Sequence, residues 1–164
     1  MSAVRLMLAD DLLPTVERIL SQLFGQLRVS VPEAELHHIG ATAIPGALTK
    51  GDLDVLLRVS AQCFENAVAA LSNSFAVKQP ENWTQEFASF GDDASYELPV
   101  GIQLVVKNSG DDFFLFLLDH FNSNPEALGE YNHLKRLHAA NGPENYWKAK
   151  DEFLSKVLAS GKLR

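Results

Sequence analysis

Hydrophobic residues recur every three or four positions between residues 11 and 28, which is the period of an amphipathic helix. Asp10 or Asp11 can cap the free N–H groups at the start of this helix, and Pro14 is tolerated because it lies in the first turn. We expect the helix to cover one face of a sheet with its apolar stripe. The stripe consists of Leu12, Leu13, Val16, Ile19, Leu20, Leu23, Phe24 and Leu27.

Shorter apolar runs after Pro32 predict strands. Residues 34 to 39 form the first of them, and a second begins at Asp52 and reaches Val59. Ser60 then looks like the N-cap of a helix that runs to about Asn73. The segment from 74 to 107 predicts three or four short strands, at Phe75 to Lys78, Phe87 to Phe90, Ser95 to Leu98 and Gly101 to Lys107. A helix followed by consecutive strands favours a mixed sheet over a doubly wound parallel one.

The last third of the chain predicts helices. Asp111 or Asp112 can cap a segment whose run from Phe113 to Leu118 is apolar all round and is therefore expected to be buried. Asn124-Pro125-Glu126 opens the next helix, Gly142-Pro143 ends it, and a last helix follows. The chain is thus expected to have an α/β (α+β) fold, with a mixed β-sheet flanked by helices and a helical C-terminal part. Two sets of side chains are expected to face inward: Leu128, Tyr131, Leu134, Leu137 and His138, then Tyr146, Phe153, Leu154, Val157 and Leu158.

The composition fits a single domain over residues 1–164, since 46% of the 164 residues are hydrophobic and 21% are charged. The net charge of −7 argues against general nucleic-acid binding, because affinity for a duplex depends on neutralising phosphates with Lys and Arg. Neither a leader pattern nor a run long enough to span a bilayer is present, so we expect a cytoplasmic protein with no membrane partner. The single Cys63 cannot form an internal disulfide.

Candidate chemistry is concentrated between His37 and Val59. The small residues Gly40-Ala41-Thr42 allow a bulky ligand to approach the backbone closely. Further on, Asp52 and Asp54 alternate with apolar residues, so their side chains are expected on one face of a strand. Two neighbouring carboxylates are costly unless a cation offsets them, and Mg²⁺ accepts such ligands. The alternative is that Asp52 begins a turn and Asp54 faces solvent.

This stretch resembles the GrpB family, a branch of the nucleotidyltransferase superfamily. The resemblance rests on Gly40-Ala41 followed by Asp52-Leu53-Asp54-Val55, and on the phrase from His38 to Gly46 with Lys50 after it. It continues at Asp119 and Pro125, and at Tyr131 with Leu134-Lys135 and Tyr146 with Lys150. The resemblance implies a nucleotidyltransferase-like sheet and an expected Mg²⁺ held by Asp52 and Asp54.

The same resemblance implies roles for further residues. Gly40, Ala41 and Thr42 would lie against a triphosphate, and Lys50, Lys135 and Lys150 would contact phosphates as point charges. Gln103 falls where the superfamily has a third acid, and a neutral amide is a poor general base, although Glu97 could substitute if a bend brought it close. His38 either touches ligand or has a hydrogen-bonded structural role. The family pattern is also broken at Ala41, Gly51, Leu118 and Asn122.

Two functions follow as hypotheses. The first is Mg-dependent transfer of a nucleotidyl group from a nucleoside triphosphate to an unknown acceptor, with Asp52, Asp54 and Gln103 as the catalytic set. The second is a catalytically impaired module that binds a nucleotide or another phosphorylated small molecule on the same scaffold. A kinase of the P-loop type is disfavoured, because the sequence has no Gly-x-x-x-x-Gly-Lys-[Ser/Thr] loop.

Overall fold

The computed structural model of the protein describes residues 3–162, and a five-stranded mixed sheet lies at its centre. The strands run in the order β2 (Glu35–Ile39), β4 (Leu53–Val59), β7 (Val100–Val106), β6 (Phe87–Asp92) and β5 (Ala76–Val77). Only β4 and β7 are parallel, and the other neighbours are antiparallel. Two short strands, β1 (Met7–Leu8) and β3 (Leu48–Thr49), form a separate antiparallel pair. The predicted mixed sheet is therefore confirmed.

Helices cover both faces of the sheet. Helices α1 (Leu13–Ser30) and α2 (Phe64–Ser74) pack on the main core, which takes the alternate residues Leu53, Val55, Leu57 and Val59 of β4. Helix α3 (Phe114–Ser123) packs on the opposite face, around Leu56. This alternation leaves Asp54 on the α3 side of the sheet, away from the main core.

The C-terminal part is helical, as the sequence predicts. Helices α4 (Pro125–Ala139) and α5 (Pro143–Lys162) pack with α3 around a second apolar cluster. Ile44 and Ala47 belong to this cluster, so the helices hold the loop between β2 and β4 against the end of the sheet. The candidate site lies where that loop, the start of β4 and α5 come together. Among the described residues, none of the helices has the length and apolar character needed to cross a membrane.

Several local expectations were wrong. Residues 9–12 form a 3-10 turn ahead of α1, and Asp10 accepts a hydrogen bond from Gly46 N at 2.8 Å instead of capping the helix. Ser60 makes no side-chain cap bond. The segment Ser95 to Leu98 is not a strand, because Asp92 Oδ1 accepts the N–H groups of Ala94 and Ser95 and holds the chain in a bend.

The helical part also departs from the predicted burial. Phe116 is 42% exposed and Leu137 is 60% exposed, although both were expected to face inward. Neither Asp111 nor Asp112 caps α3, since no side-chain bond caps that helix. Asp112 instead accepts three hydrogen bonds from Arg58 on β4. The guanidinium of Arg58 is distant in sequence but binds this carboxylate in the folded protein, so the carboxylate does not cap the helix.

Candidate active site

Both aspartates line one pocket, with a volume of about 300 Å³, at the end of the sheet. Asp54 lies in β4, and Asp52 precedes the strand by one residue. Lys50, Gln103 and Trp147 line the same pocket. Lys78 and Asp93 line it as well and pair with each other. The pocket therefore holds charges of both signs within a space large enough for a small phosphorylated molecule.

Asp54 occupies a space that two glycines leave open. A Cβ atom added at Gly40 would lie 2.8 Å from Asp54 Oδ2, and one added at Gly101 would overlap Asp54 Oδ1. Gly40 has a φ of 76°, a conformation that favours glycine, whereas Gly101 is the register partner of Asp54 on β7. The two glycines thus leave the room that the carboxylate occupies.

Burial dominates the electrostatics of Asp54. Desolvation raises the pKa of Asp54 to about 6, because the half-buried carboxylate loses part of the water that stabilises its charge. The charge of Lys150 opposes this rise most strongly, Asp52 adds to it, and Lys50 also opposes it. A divalent cation bound here would favour the ionised carboxylate in the same way as the lysines do.

Two lysines and a tryptophan surround the carboxylates. Lys50 Nζ lies 3.0 Å from Asp52 Oδ2 and 4.0 Å from the centre of the Trp147 ring. Lys150 Nζ lies 4.7 Å from the centre of the same ring. Trp147 therefore holds both ammonium groups near the pocket by cation–π contact. Sequence reasoning missed Trp147, and its position one turn before Lys150 on the same helix was the available signal.

Gln103 lies in the pocket, on the face of β7 that also presents Gly101. In the parallel pair, Asp54 is opposite Gly101 and Leu56 is opposite Gln103. A side chain at position 103 therefore lies close to the pair of aspartates but brings no charge. Glu97, the other candidate acid, does not line the pocket, because it forms an ion pair with Arg18 at 3.0 Å on the surface.

The Gly40–Thr42 turn adjoins the pocket through Asp54 and does not line it directly. Residues Ala41–Ala43 form a 3-10 turn in which Thr42 is buried. His38 Nε2 and Thr42 Oγ1 are 2.9 Å apart, and burial lowers the pKa of His38 to about 4, so the ring is neutral at pH 7. The hydrogen bond between these two side chains thus stabilises the turn.

Lys135 is 2% exposed and lies apart from the pocket lining. Its Nζ donates a hydrogen bond to Leu48 O at 2.6 Å and lies 4.2 Å from the centre of the Tyr131 ring. Burial lowers the pKa of Lys135 to about 7. The structure therefore brings Lys50 and Gln103 to the aspartates, with Lys150 beside them, but places Lys135 beneath the loop that carries Lys50.

The donor set suits a hard divalent cation. Carboxylate oxygens are ligands that Mg²⁺ accepts, and it is commonly held by one or two carboxylates with substrate phosphates. Within the part of the chain that the structure describes, no group of three Asp, Glu, His or Cys side chains is close enough to hold a metal ion. If a metal ion binds in this pocket, Asp52 and Asp54 are the residues that would hold it.

Comparison with known proteins adds family and fold. A family model described as GrpB protein matches residues 11–160. A UPF0157 protein of Vibrio cholerae serotype O1 is 32% identical over 156 residues, which cover 92% of this chain and 79% of that protein. The crystal structure of the conserved protein GrpB from Enterococcus faecalis superposes with a TM-score of 0.65 at 15% identity, covering 88% of this chain and 96% of that one.

Nucleotidyltransferase structures share the fold. The Cid1 poly(U) polymerase with MgGTP bound superposes with a TM-score of 0.52 at 12% identity, over 81% of this chain and 46% of that one. Cid1 in complex with its short product ApU gives a TM-score of 0.53 at 14% identity, over 81% of this chain and 42% of that one. This chain thus spans less than half the length of Cid1. The likeness shows a nucleotidyltransferase-like scaffold.

Proposed function

We propose, from the premise that this chain belongs to the GrpB family, that it binds a nucleoside triphosphate with Mg²⁺ and transfers the nucleotidyl group to an acceptor. The observation that carries the proposal is that Asp52 and Asp54 line one pocket at the end of a nucleotidyltransferase-like sheet. One or two carboxylates are a common protein contribution to a Mg²⁺ site, and phosphates of a substrate complete the ligand set of the ion.

Asp52 and Asp54 are the residues that would hold the cation. When bound, Mg²⁺ neutralises charge on the triphosphate and on the pyrophosphate that leaves. The absence of side chains at Gly40 and Gly101 lets the Asp54 carboxylate lie at the end of the sheet, where it lines the pocket. Asp52 immediately precedes β4 and forms an ion pair with Lys50. This ion pair has to open in part when a cation binds to Asp52.

Basic side chains beside the aspartates would contact the phosphates. Lys50 lines the pocket, and Lys150 lies against the pocket-lining ring of Trp147. The turn of Gly40, Ala41 and Thr42 adjoins the pocket at Asp54, so its backbone would contact a triphosphate that extends beyond the pocket lining. His38 and Lys135 stabilise the loop between β2 and β4, because His38 is hydrogen-bonded to Thr42 and Lys135 to the carbonyl of Leu48.

In the transfer, an oxygen of the acceptor forms a bond to the α-phosphorus. The bond between that phosphorus and the oxygen bridging to the β-phosphate breaks, and pyrophosphate leaves with the electron pair. The proton of the acceptor hydroxyl passes to solvent, because the neutral amide of Gln103 does not accept it. The chain's contribution is then to orient the triphosphate and to place positive charge where negative charge develops.

A second candidate function is binding of a nucleotide or phosphorylated metabolite without transfer. The presence of Gln103 in the pocket favours it, because a neutral amide next to the aspartates cannot activate an acceptor and Asp93, the third carboxylate of the lining, is paired with Lys78. The two functions differ in one measurable product. Mg-dependent nucleotide binding without release of pyrophosphate would support the binding module.

The proposal is tested first by binding. Asp54→Asn removes a ligand charge with almost no change in volume, so the shift in melting temperature that ATP and Mg²⁺ give to the wild type should disappear. Asp11→Asn, an exposed position far from the pocket, should keep the wild-type shift. Equal shifts in wild type and Asp54→Asn would contradict the assignment of the site.

The second measurement is turnover. The four ribonucleoside triphosphates with Mg²⁺ are screened for pyrophosphate release over pooled metabolites, tRNA and protein acceptors. Release that depends on Asp54 supports transfer. Absence of release from every pool, with Mg-dependent binding intact, favours the binding module instead.

A further inference from the structure

The two carboxylates of the pocket already have ammonium groups beside them. Lys50 Nζ is 3.0 Å from Asp52 Oδ2, and Lys150 is the nearby charge that acts most strongly on Asp54. Both Nζ atoms lie over the ring of Trp147, at 4.0 and 4.7 Å from its centre. The chain thus has one positive charge in the pocket lining, on Lys50, and a second one beside the pocket, on Lys150.

Anionic ligands are correspondingly few. Gln103 is neutral. Asp93 also lines the pocket, but it is paired with Lys78 and, unlike Asp52, it is not among the charges that act on Asp54. The described residues contain no cluster of three groups able to hold a metal ion. Asp52 and Asp54 are therefore the carboxylates available to a cation at this site.

Two divalent cations in one site lie about 3.5–4 Å apart and repel each other strongly. Carboxylates shared between the ions normally offset that repulsion, and here two carboxylates with ammonium neighbours would have to do so. One divalent cation beside an ammonium group also places two positive groups against the phosphates, and these two groups repel each other less than two divalent cations do. An ammonium on a half-buried stem is also held in place before the substrate arrives.

We propose that the site takes one divalent cation per chain, held by Asp52 and Asp54, and that Lys150 supplies the second positive charge against the substrate phosphates. This inference rests on the proposed function and specifies its metal content. Lys150 contacts the phosphates directly, and Trp147 positions it. The helix that carries both residues is thus part of the site.

The first test counts the ions. Mn²⁺ replaces Mg²⁺ in the wild-type protein, with an ATP analogue that cannot be cleaved between the α- and β-phosphates and is present at less than one equivalent. We expect one Mn²⁺ per bound nucleotide, with the electron paramagnetic resonance spectrum of an isolated ion. Two Mn²⁺ per nucleotide with a spin-coupled spectrum would overturn the inference and leave the proposed function standing. The same count in the Asp52→Asn, Asp54→Asn double variant as in wild type would overturn both.

The second test concerns the lysine. Lys150→Met should weaken binding of the Mg-bound analogue by roughly 10- to 100-fold, the range for losing a hydrogen bond to a charged group. Lys148→Met is the matched control, because Lys148 is exposed on the same helix and lies outside this pocket. Equal affinities for the Lys150→Met and Lys148→Met proteins, both folded by circular dichroism, would overturn the role given to Lys150.

Discussion

Asp54 and Gly101 are register partners on the parallel strands β4 and β7, and a Cβ atom at position 101 would occupy the place of Asp54 Oδ1. The missing side chain on one strand therefore makes room for the carboxylate on the other. This relationship connects the geometry of the sheet to the cation site proposed above. It also predicts that a single methyl group on β7 disturbs binding without touching a ligand.

Gly101→Ala should abolish the thermal shift given by ATP and Mg²⁺, because the added Cβ forces the Asp54 carboxylate out of its position. Overpacking of this kind costs about 1–3 kcal/mol of unfolding free energy, which urea denaturation would show. Gly129→Ala is the control, since nothing lies within 4 Å of its added Cβ. That change in α4 should raise stability by about 0.5–1 kcal/mol and leave binding unchanged. Wild-type binding by a folded Gly101→Ala protein would contradict the prediction.

Asp54→Asn should change how stability depends on pH in the absence of metal. Burial raises the pKa of Asp54 to about 6 from 3.8, so between about pH 4 and pH 6 the folded state binds more protons than the unfolded state. This group therefore lowers the free energy of unfolding as pH rises through that interval, by up to about 3 kcal/mol. The asparagine variant lacks this loss.

The check is urea unfolding of both proteins at pH 4, 6 and 8. Contributions from groups that do not interact with Asp54 cancel in the difference between the two proteins. The variant should gain stability relative to wild type from pH 4 to pH 6 and keep that gain at pH 8. A constant difference across the three pH values would show that Asp54 is not buried as described.

Gln103→Glu should raise the rate of pyrophosphate release, because it adds a carboxylate on the strand face next to Asp54. A positioned acid–base group contributes on the order of 10²-fold at the lower end of its usual range. Gln103→Met, which has a similar size but no charge, should not raise the rate. An unchanged rate in the folded glutamate variant would place the acid-bearing position elsewhere in the pocket.

Asp112→Asn should destabilise the fold without affecting ligand binding. Arg58 Nε and Nη2 donate hydrogen bonds to the 4% exposed carboxylate of Asp112 at 2.7–3.2 Å, and Asn108 N donates another at 2.7 Å. Loss of a charged hydrogen-bond partner costs about 1.5–3 kcal/mol.

Urea unfolding at pH 7 measures this loss, with the exposed Asp11→Asn as control. Arg58 holds the pKa of Asp112 below its usual value, so the contribution is present above about pH 4 and is lost as pH falls through the lowered pKa. The stability difference between wild type and Asp112→Asn should therefore shrink in acid. A difference of less than about 0.5 kcal/mol at pH 7 would mean that the pair contributes little.

Local pattern was enough for much of the fold. The apolar stripe of α1 and the alternation along β4 come from the side-chain periods of helix and strand, and the structure keeps both with small shifts in their ends. The resemblance to the GrpB family is confirmed by the match over residues 11–160. The predicted strand at Ser95 to Leu98 failed because one carboxylate, Asp92, satisfies the backbone locally in a bend.

The sequence by itself predicted that Asp52 and Asp54 would share a face, since residues two apart in an extended segment do so, and both line one pocket in the structure. Tertiary structure alone decided which lysine lies beside them. Lys135 and Lys150 each follow a tyrosine by four residues, yet Lys135 is sealed under a loop and Lys150 lies over Trp147 beside the pocket. The reason is that helix packing, and not local spacing, sets which face of α4 and α5 meets the end of the sheet.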